Sequence, residues 1–193
     1  MNSPVDHAPV VLEDMYFITT SAVHHAHLFQ HDVVKRILVD SMNFGRILEQ
    51  YHLFAFVIMP NHVHILLQRA GRYKPAEIMR EYKKSTANLI LRQLECEGQD
   101  DLLWDLAQAV EKPARKNFGI WQEEYQAKPI LSVPQLKRTL DYIHNNPLQT
   151  HWQLAQRPEQ YVWSSARFYA GVGRALIPLS DARKFYSSHP QHP

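Results

Sequence analysis

Residues 59–66 read MPNHVHIL, with one valine between His62 and His64, and residues 140–148 read LDYIHNNPL, with Tyr142 and Asn146 four apart. In a strand over 62–68, side chains alternate faces, so His62, His64, Leu66 and Gln68 share one side of the sheet. Two strand positions span roughly 6.6–7 Å, from which two imidazoles can lean together onto one ion at about 2.0–2.2 Å. The pair taken alone also fits two buried histidines that donate to backbone carbonyls. In a helix that Ser132 caps and that runs to about Asn145, a turn of about 100° per residue gathers Leu136, Leu140 and Ile143 into one stripe. Tyr142 and Asn146 then share a flank roughly 80–120° away, which Gln135 and Thr139 extend and Arg138 borders. Each of the two has an ordinary reading, a boundary tyrosine and a helix stop. Joined to the histidine pair they compose a different site: an ion on His62 and His64 with Asn146 as third ligand, and Tyr142 aimed at a phosphate that the ion polarises. A phenol is a poor nucleophile at neutral pH and needs such activation, and a tyrosyl phosphate conserves bond energy for rejoining. Two imidazoles with oxygen suit Mg²⁺ or Mn²⁺, and the nitrogens favour Mn²⁺.

The elements that must position these groups are legible along the chain. MYFITTSAV (15–23) is aromatic and β-branched and reads as a first strand. From Asp32 to about Glu49 the apolar positions 34, 37, 38, 45 and 48 follow an amphipathic helix. YHLFAFVIM (51–59) is apolar on both faces, as in a strand covered on each side. Pro60-Asn61 makes a tight turn into the antiparallel strand HVHILLQ. Residues 76–96 read as a helix carrying Arg80, Lys83, Lys84 and Arg92, and 97–118 as an insertion or a lid. GIWQEEYQAKPI (119–130) contains strand material, and Pro134 fits the first turn of the helix that Ser132 opens. This order predicts an α+β fold, a ferredoxin-like antiparallel sheet with helices packed on it and a C-terminal extension. The expected units are a flexible lead-in over 1–14, a catalytic domain over 15–150 and a tail over 151–193 that packs back on the domain.

Composition narrows the classes. At 193 residues, 45% hydrophobic and 21% charged, the chain can bury a core of its own. No apolar run reaches the roughly 18 residues of a membrane span, and the first residues lack a basic start followed by an apolar stretch. One cysteine, Cys96, excludes internal disulfides and cysteine-based zinc sites and fits a reducing cytoplasm. The net charge of +2 permits local nucleic-acid contact without demanding it. Among twelve histidines, His24, His25 and His27 cluster where a loop that approaches phosphates is expected.

The joint pattern resembles the HUH single-tyrosine transposases of the insertion-sequence type, and is closest to the REP-associated tyrosine transposases. MPNHVHILLQ and LDYIHNNPL carry the resemblance, with IWQEEYQ, YVWSSARFY and the basic helix EYKKSTANLIL as further matches over most of 15–170. The resemblance implies His62 and His64 as metal ligands, Asn146 as a third, Tyr142 as nucleophile, and Mg²⁺ or Mn²⁺ as cofactor. It implies cleavage and rejoining of single-stranded DNA near a hairpin, through a 5′-phosphotyrosine and a free 3′-hydroxyl, by a monomer or a homodimer. Leucine follows Asn-Asn-Pro where the family has valine, and the double glutamate after Trp121-Gln122 departs from the family's basic character there.

Candidate phosphate contacts are Arg80, Lys83, Lys84, Lys112, Arg115, Lys116, Lys137 and Arg138, which would make DNA affinity fall with salt. Trp121, Tyr125, Trp152, Trp163 and Tyr169 are candidates for stacking on unpaired bases. Two other functions share these residues. One is a hairpin-DNA-binding protein of the same fold without cleavage activity. The other is a hydrolase of small phosphoesters with Tyr142 as a bystander.

Overall fold

A computed structural model describes residues 12–108 and 119–188. Its centre is a four-stranded antiparallel sheet of β1 (Met15–Ser21), β2 (Tyr51–Ile58), β3 (His62–Arg69) and β4 (Gln126–Pro129) in the order β2-β3-β1-β4. Helices α1 (Asp32–Ile47), α2 (Pro75–Cys96), α3 (Asp100–Gln108) and α4 (Val133–Asn145) complete the frame. This is the expected α+β, ferredoxin-like arrangement: one crossover through α1 and a hairpin at Pro60-Asn61 set β3 between β1 and β2. Among the described residues, no helix is long and apolar enough to cross a membrane.

The register decides which residues meet. β1 pairs with β3 so that Thr19 stands opposite His64, Ser21 opposite His62 and Phe17 opposite Leu66. Directly paired residues project to the same face, so Phe17, Thr19, His62 and His64 form one patch. A bulge between Leu53 and Ala55 shifts β2 by one residue, which places Val57 opposite His64 while Tyr51 and Leu53 remain on the reverse face. The reverse face is roofed by α1 and α2. There the Tyr51 hydroxyl donates to Met42 O at 2.9 Å, and only glycine fits at Gly45, because a Cβ would sit 2.6 Å from that hydroxyl.

α4 covers the histidine face. Ser132 caps it by accepting from the Gln135 amide, and Leu136, Leu140 and Ile143 are buried as the expected stripe. Complete burial of such aliphatic side chains is worth about 1.5–3 kcal/mol each, enough to fix the rotation of the helix. The segment after α4 returns along the free edge of β2: Ile58 N donates to Trp163 O at 2.9 Å and Ser165 N to Phe56 O at 3.0 Å. Ser165 Oγ also meets His144 Nε2 at 2.8 Å, tying the end of α4 to that edge.

Candidate active site

The β2–β3 turn is held from several sides. Phe29 N donates to Pro60 O, Ala22 N to Asn61 O and Met59 N to His62 O, each at 2.8 Å. The Asn61 side chain donates through Nδ2 to His25 O at 3.2 Å, so its Oδ1 faces His62 Nδ1 at 2.7 Å. A carboxamide oxygen only accepts, and Nδ1 of His62 therefore carries the hydrogen, leaving Nε2 with its lone pair. Thr19 Oγ1 meets His64 Nδ1 at 2.9 Å, again leaving Nε2 free. The two rings lie 4.7 Å apart between centroids.

Two buried polar atoms here have no hydrogen-bond partner, His64 Nε2 and Asn146 Oδ1. Leaving such atoms bare costs roughly 1–3 kcal/mol each unless a ligand satisfies them. Asn146, 1% exposed, opens a short 3₁₀ turn (Asn146–Leu148) whose helical backbone turns the carboxamide inward beside His62. It is thus buried, where helical projection offers it sideways with Tyr142. Among the described residues, no three His, Cys, Asp or Glu side chains could hold a metal. The donor set available is accordingly two neutral imidazoles and one amide oxygen, an arrangement that fits Mg²⁺ or Mn²⁺ when water and phosphate oxygens complete the shell.

Tyr142 is 47% exposed and its ring meets those of His64 at 5.1 Å and Phe17 at 5.9 Å, both edge-on. Among the described residues its hydroxyl has no hydrogen-bond partner. The structure therefore brings Tyr142, His62, His64 and Asn146 into one place from β3 and α4.

Burial lowers the pKa of His62 to about 4, against the opposing pull of the Asn146 carboxamide, and that of His64 to about 3 with help from neighbouring His62. Burial also lowers His144 to about 4. All three are neutral at pH 7, the form that ligates a metal. Each is a stability term too. The unfolded chain binds these protons near pH 6.5 and the folded chain does not, so stability is complete above that pH and is lost as pH falls toward 4. In chelator, denaturant titrations between pH 6 and pH 4.5 are expected to lose roughly 1.4 kcal/mol per pH unit for each histidine still neutral. His144→Phe should reduce that slope by about one histidine's share.

Two of the proposed DNA contacts have other employment. Trp121 is 9% exposed, donates from Nε1 to Thr86 Oγ1 at 2.9 Å and packs between Phe29 and Tyr82, so no base can stack on it. Lys83 donates from Nζ to the carbonyls of Gln122, Glu123 and Glu124 at 2.9, 3.2 and 3.0 Å, bracing the loop before β4. Its three hydrogens are committed there, and burial lowers its pKa to about 8. Arg80 is exposed and pairs with Glu81 at 3.3 Å, while Lys84 and Arg138 are exposed. Lys112, Arg115 and Lys116 lie outside the described residues. Thr19 and Asn61 orient the histidines, a role that neither residue type displays in the sequence. Their only signals are a pairing register and the position before the first histidine.

A family model described as "Transposase IS200 like" matches residues 16–146, a span that takes in β2, β3, β4, α4, both histidines and all of β1 but Met15. The chain belongs to the IS200-like transposase family. This transposase-family chain is 28% identical over 155 residues to an uncharacterized protein of Haemophilus influenzae, covering 70% of the chain and 81% of that protein. Its fold matches that of a REP-associated tyrosine transposase bound to a REP hairpin, with a TM-score of 0.55 and 18% identity over 87% of this chain and 88% of the other.

Proposed function

We propose that this transposase-family protein cleaves and rejoins single-stranded DNA beside a hairpin through a 5′-phosphotyrosine at Tyr142, with His62, His64 and Asn146 holding Mg²⁺ or Mn²⁺. The observation that carries the reading is the meeting of Tyr142 with buried His64, beside half-buried His62 and next to two polar atoms left without partners. When bound there, the ion supplies Lewis-acid polarisation of a non-bridging phosphate oxygen. Tyr142 Oη gives up its proton to water as it attacks phosphorus, the Tyr–O–P bond forms, the P–O3′ bond breaks, and the departing 3′ oxygen takes up a proton from water. Reversal by a 3′-hydroxyl rejoins a strand and regenerates the phenol. Phe17 and His64 hold the tyrosine ring edge-on, restricting its swing, and the partial exposure of Tyr142 leaves the hydroxyl open to a strand from solvent. All four groups come from one chain, which favours a monomer as the acting unit. Hairpin DNA is the substrate of choice because the structurally similar REP-associated transposase is bound to one.

The test is denaturing electrophoresis of the protein after incubation with labelled hairpins that carry unpaired flanks, with Mn²⁺ or Mg²⁺ and with chelator. A metal-dependent covalent protein–DNA band supports the reading. Hairpin binding with no such band on any DNA of a broad panel would instead establish the binding-only function.

The orienting role of Thr19 makes a separate prediction. Thr19→Val keeps the shape and removes the contact with His64 Nδ1. Mn²⁺ affinity, read by titration calorimetry or electron paramagnetic resonance, should fall about 10–100-fold, and the metal-free protein should lose the roughly 1–3 kcal/mol that a buried Nδ1 without a partner costs. An unchanged affinity would assign Thr19 to packing alone.

A further inference from the structure

The turn that follows Asn146 delivers a second aromatic group to the site. Trp152 N donates to Gln149 O at 2.8 Å and Leu154 N to Pro147 O at 2.9 Å, while Gln153 takes a φ of 48°, in the left-handed region uncommon for a side-chain-bearing residue. These contacts set the indole at a fixed distance from the end of α4. Its ring lies 5.9 Å from that of His62, 5.5 Å from His27 and 5.2 Å from His151, tilted by 47°, 48° and 50° respectively. His27 and His151 are exposed and Trp152 is half-buried. Among the described residues the indole Nε1 has no hydrogen-bond partner.

The other tryptophans differ in each respect. Trp121 and Trp163 are buried, the first bound to Thr86 and the second beneath Lys35 and Arg36. Trp104 is exposed, but on α3, which packs against α2 on the reverse side of the sheet. Only Trp152 combines an accessible ring with a place beside the histidine pair. Among the described residues these imidazoles join no group of three His, Cys, Asp or Glu side chains that could hold a metal. A half-buried indole with exposed imidazoles at its borders instead has the makings of a stacking surface, because every base has a π-face and stacking tolerates sequence. From His64 through His62 to Trp152 the ring centroids step by 4.7 and 5.9 Å, within the reach of one nucleotide from its phosphate to its base.

We propose that Trp152, bordered by His27 and His151, is the stacking platform for the unpaired nucleobase adjoining the phosphate that Tyr142 attacks. The proposal rests on the strand-transfer reading above. It adds a specific requirement: one of the two nucleotides beside the cleaved phosphate must be single-stranded and must carry a base.

The experiment starts from a hairpin that gives the wild-type protein its covalent band, with the cleaved phosphate mapped. Binding of that DNA is then measured by fluorescence anisotropy in the Tyr142→Phe background, where it is not consumed, with the intact strand and with abasic sites on either side of the mapped phosphate. Removing the stacked base should weaken binding about tenfold. Adding Trp152→Leu should weaken binding of the intact strand by about the same factor and erase most of the abasic penalty. Should the leucine variant be unstable, Trp152→Phe replaces it, with indole emission as the readout: quenching that depends on the base must vanish in that variant. A full abasic penalty or base-dependent quenching that survives loss of Trp152, or no penalty at either adjoining nucleotide, overturns the platform and leaves the nucleophile reading intact. A wild-type protein that neither binds hairpins nor forms the band on any of them overturns both.

Discussion

Tyr142→Phe is expected to abolish the covalent protein–DNA band, by at least about 10³-fold, without unfolding the protein or releasing the hairpin. The size follows from chemistry: the phenylalanine ring has no oxygen to bond to phosphorus, and nothing else in α4 can replace it at the same place. The specificity follows from packing. The Tyr142 hydroxyl has no hydrogen-bond partner among the described residues, and nearly half of the side chain is exposed. The edge-on contacts with Phe17 and His64 involve the ring, which the substitution keeps. Stability should therefore change by less than about 0.5 kcal/mol. This separates a nucleophile from a boundary tyrosine. If a small phosphoester is turned over by the protein at a rate unaffected by Tyr142→Phe, the bystander reading takes its place.

The parts of this site that the sequence displays are those encoded by periodicity. Alternation along 62–68 puts both imidazoles on one side, and the 3.6-residue repeat of α4 buries Leu136, Leu140 and Ile143 while Tyr142 stays at the margin. Strand pairing is encoded less directly. Thr19 reaches His64 because β1 lies beside β3 in one particular register, and no residue near position 19 signals that on its own. Asn146 shows what spacing leaves out: it follows Tyr142 by one turn with helical backbone, yet its carboxamide is buried at the start of a 3₁₀ turn while Tyr142 is 47% exposed.

Lys83 and Trp121, two of the expected DNA contacts, are engaged within the protein for a shared reason. Lys83 follows Arg80 by three positions and reads as part of a solvated basic stripe, yet the carbonyls of residues 122–124 arrive from 39 to 41 positions away to occupy it. Trp121 sits in a segment with no clear period. Its backbone bridge to Ala22 drops the indole into a hole between Phe29 and Tyr82, contributed by two other parts of the chain. Long-range contacts of this kind leave no trace in spacing. The tryptophan that does reach the histidines, Trp152, gets there through the turn that ends α4, which is short-range structure with an irregular backbone.

Removing a ligand tests the histidine pair more severely than removing its supports. His64→Ala should lower metal-dependent adduct formation by more than about 100-fold, beyond the effect of losing an orienting partner. The same variant is informative without DNA. In the wild-type protein a ligated ion binds only the folded chain, so Mn²⁺ at about a hundred times its dissociation constant should add about 2.7 kcal/mol to the unfolding free energy. That increment should vanish in His64→Ala. A second consequence has the opposite sign. His64 is held neutral by burial, with its pKa lowered to about 3, and its Nε2 has no partner. Its removal therefore relieves one source of acid sensitivity even as it opens a cavity against Phe17, His62 and Tyr142. In chelator the variant should be less stable at pH 7 but lose stability more slowly between pH 6 and pH 4.5, by roughly 1.4 kcal/mol per pH unit. Two histidines that merely filled the core would reproduce the acid behaviour and the cavity cost. They would not make stability respond to Mn²⁺, and a wild-type melting temperature indifferent to the ion would leave His62 and His64 as packing residues.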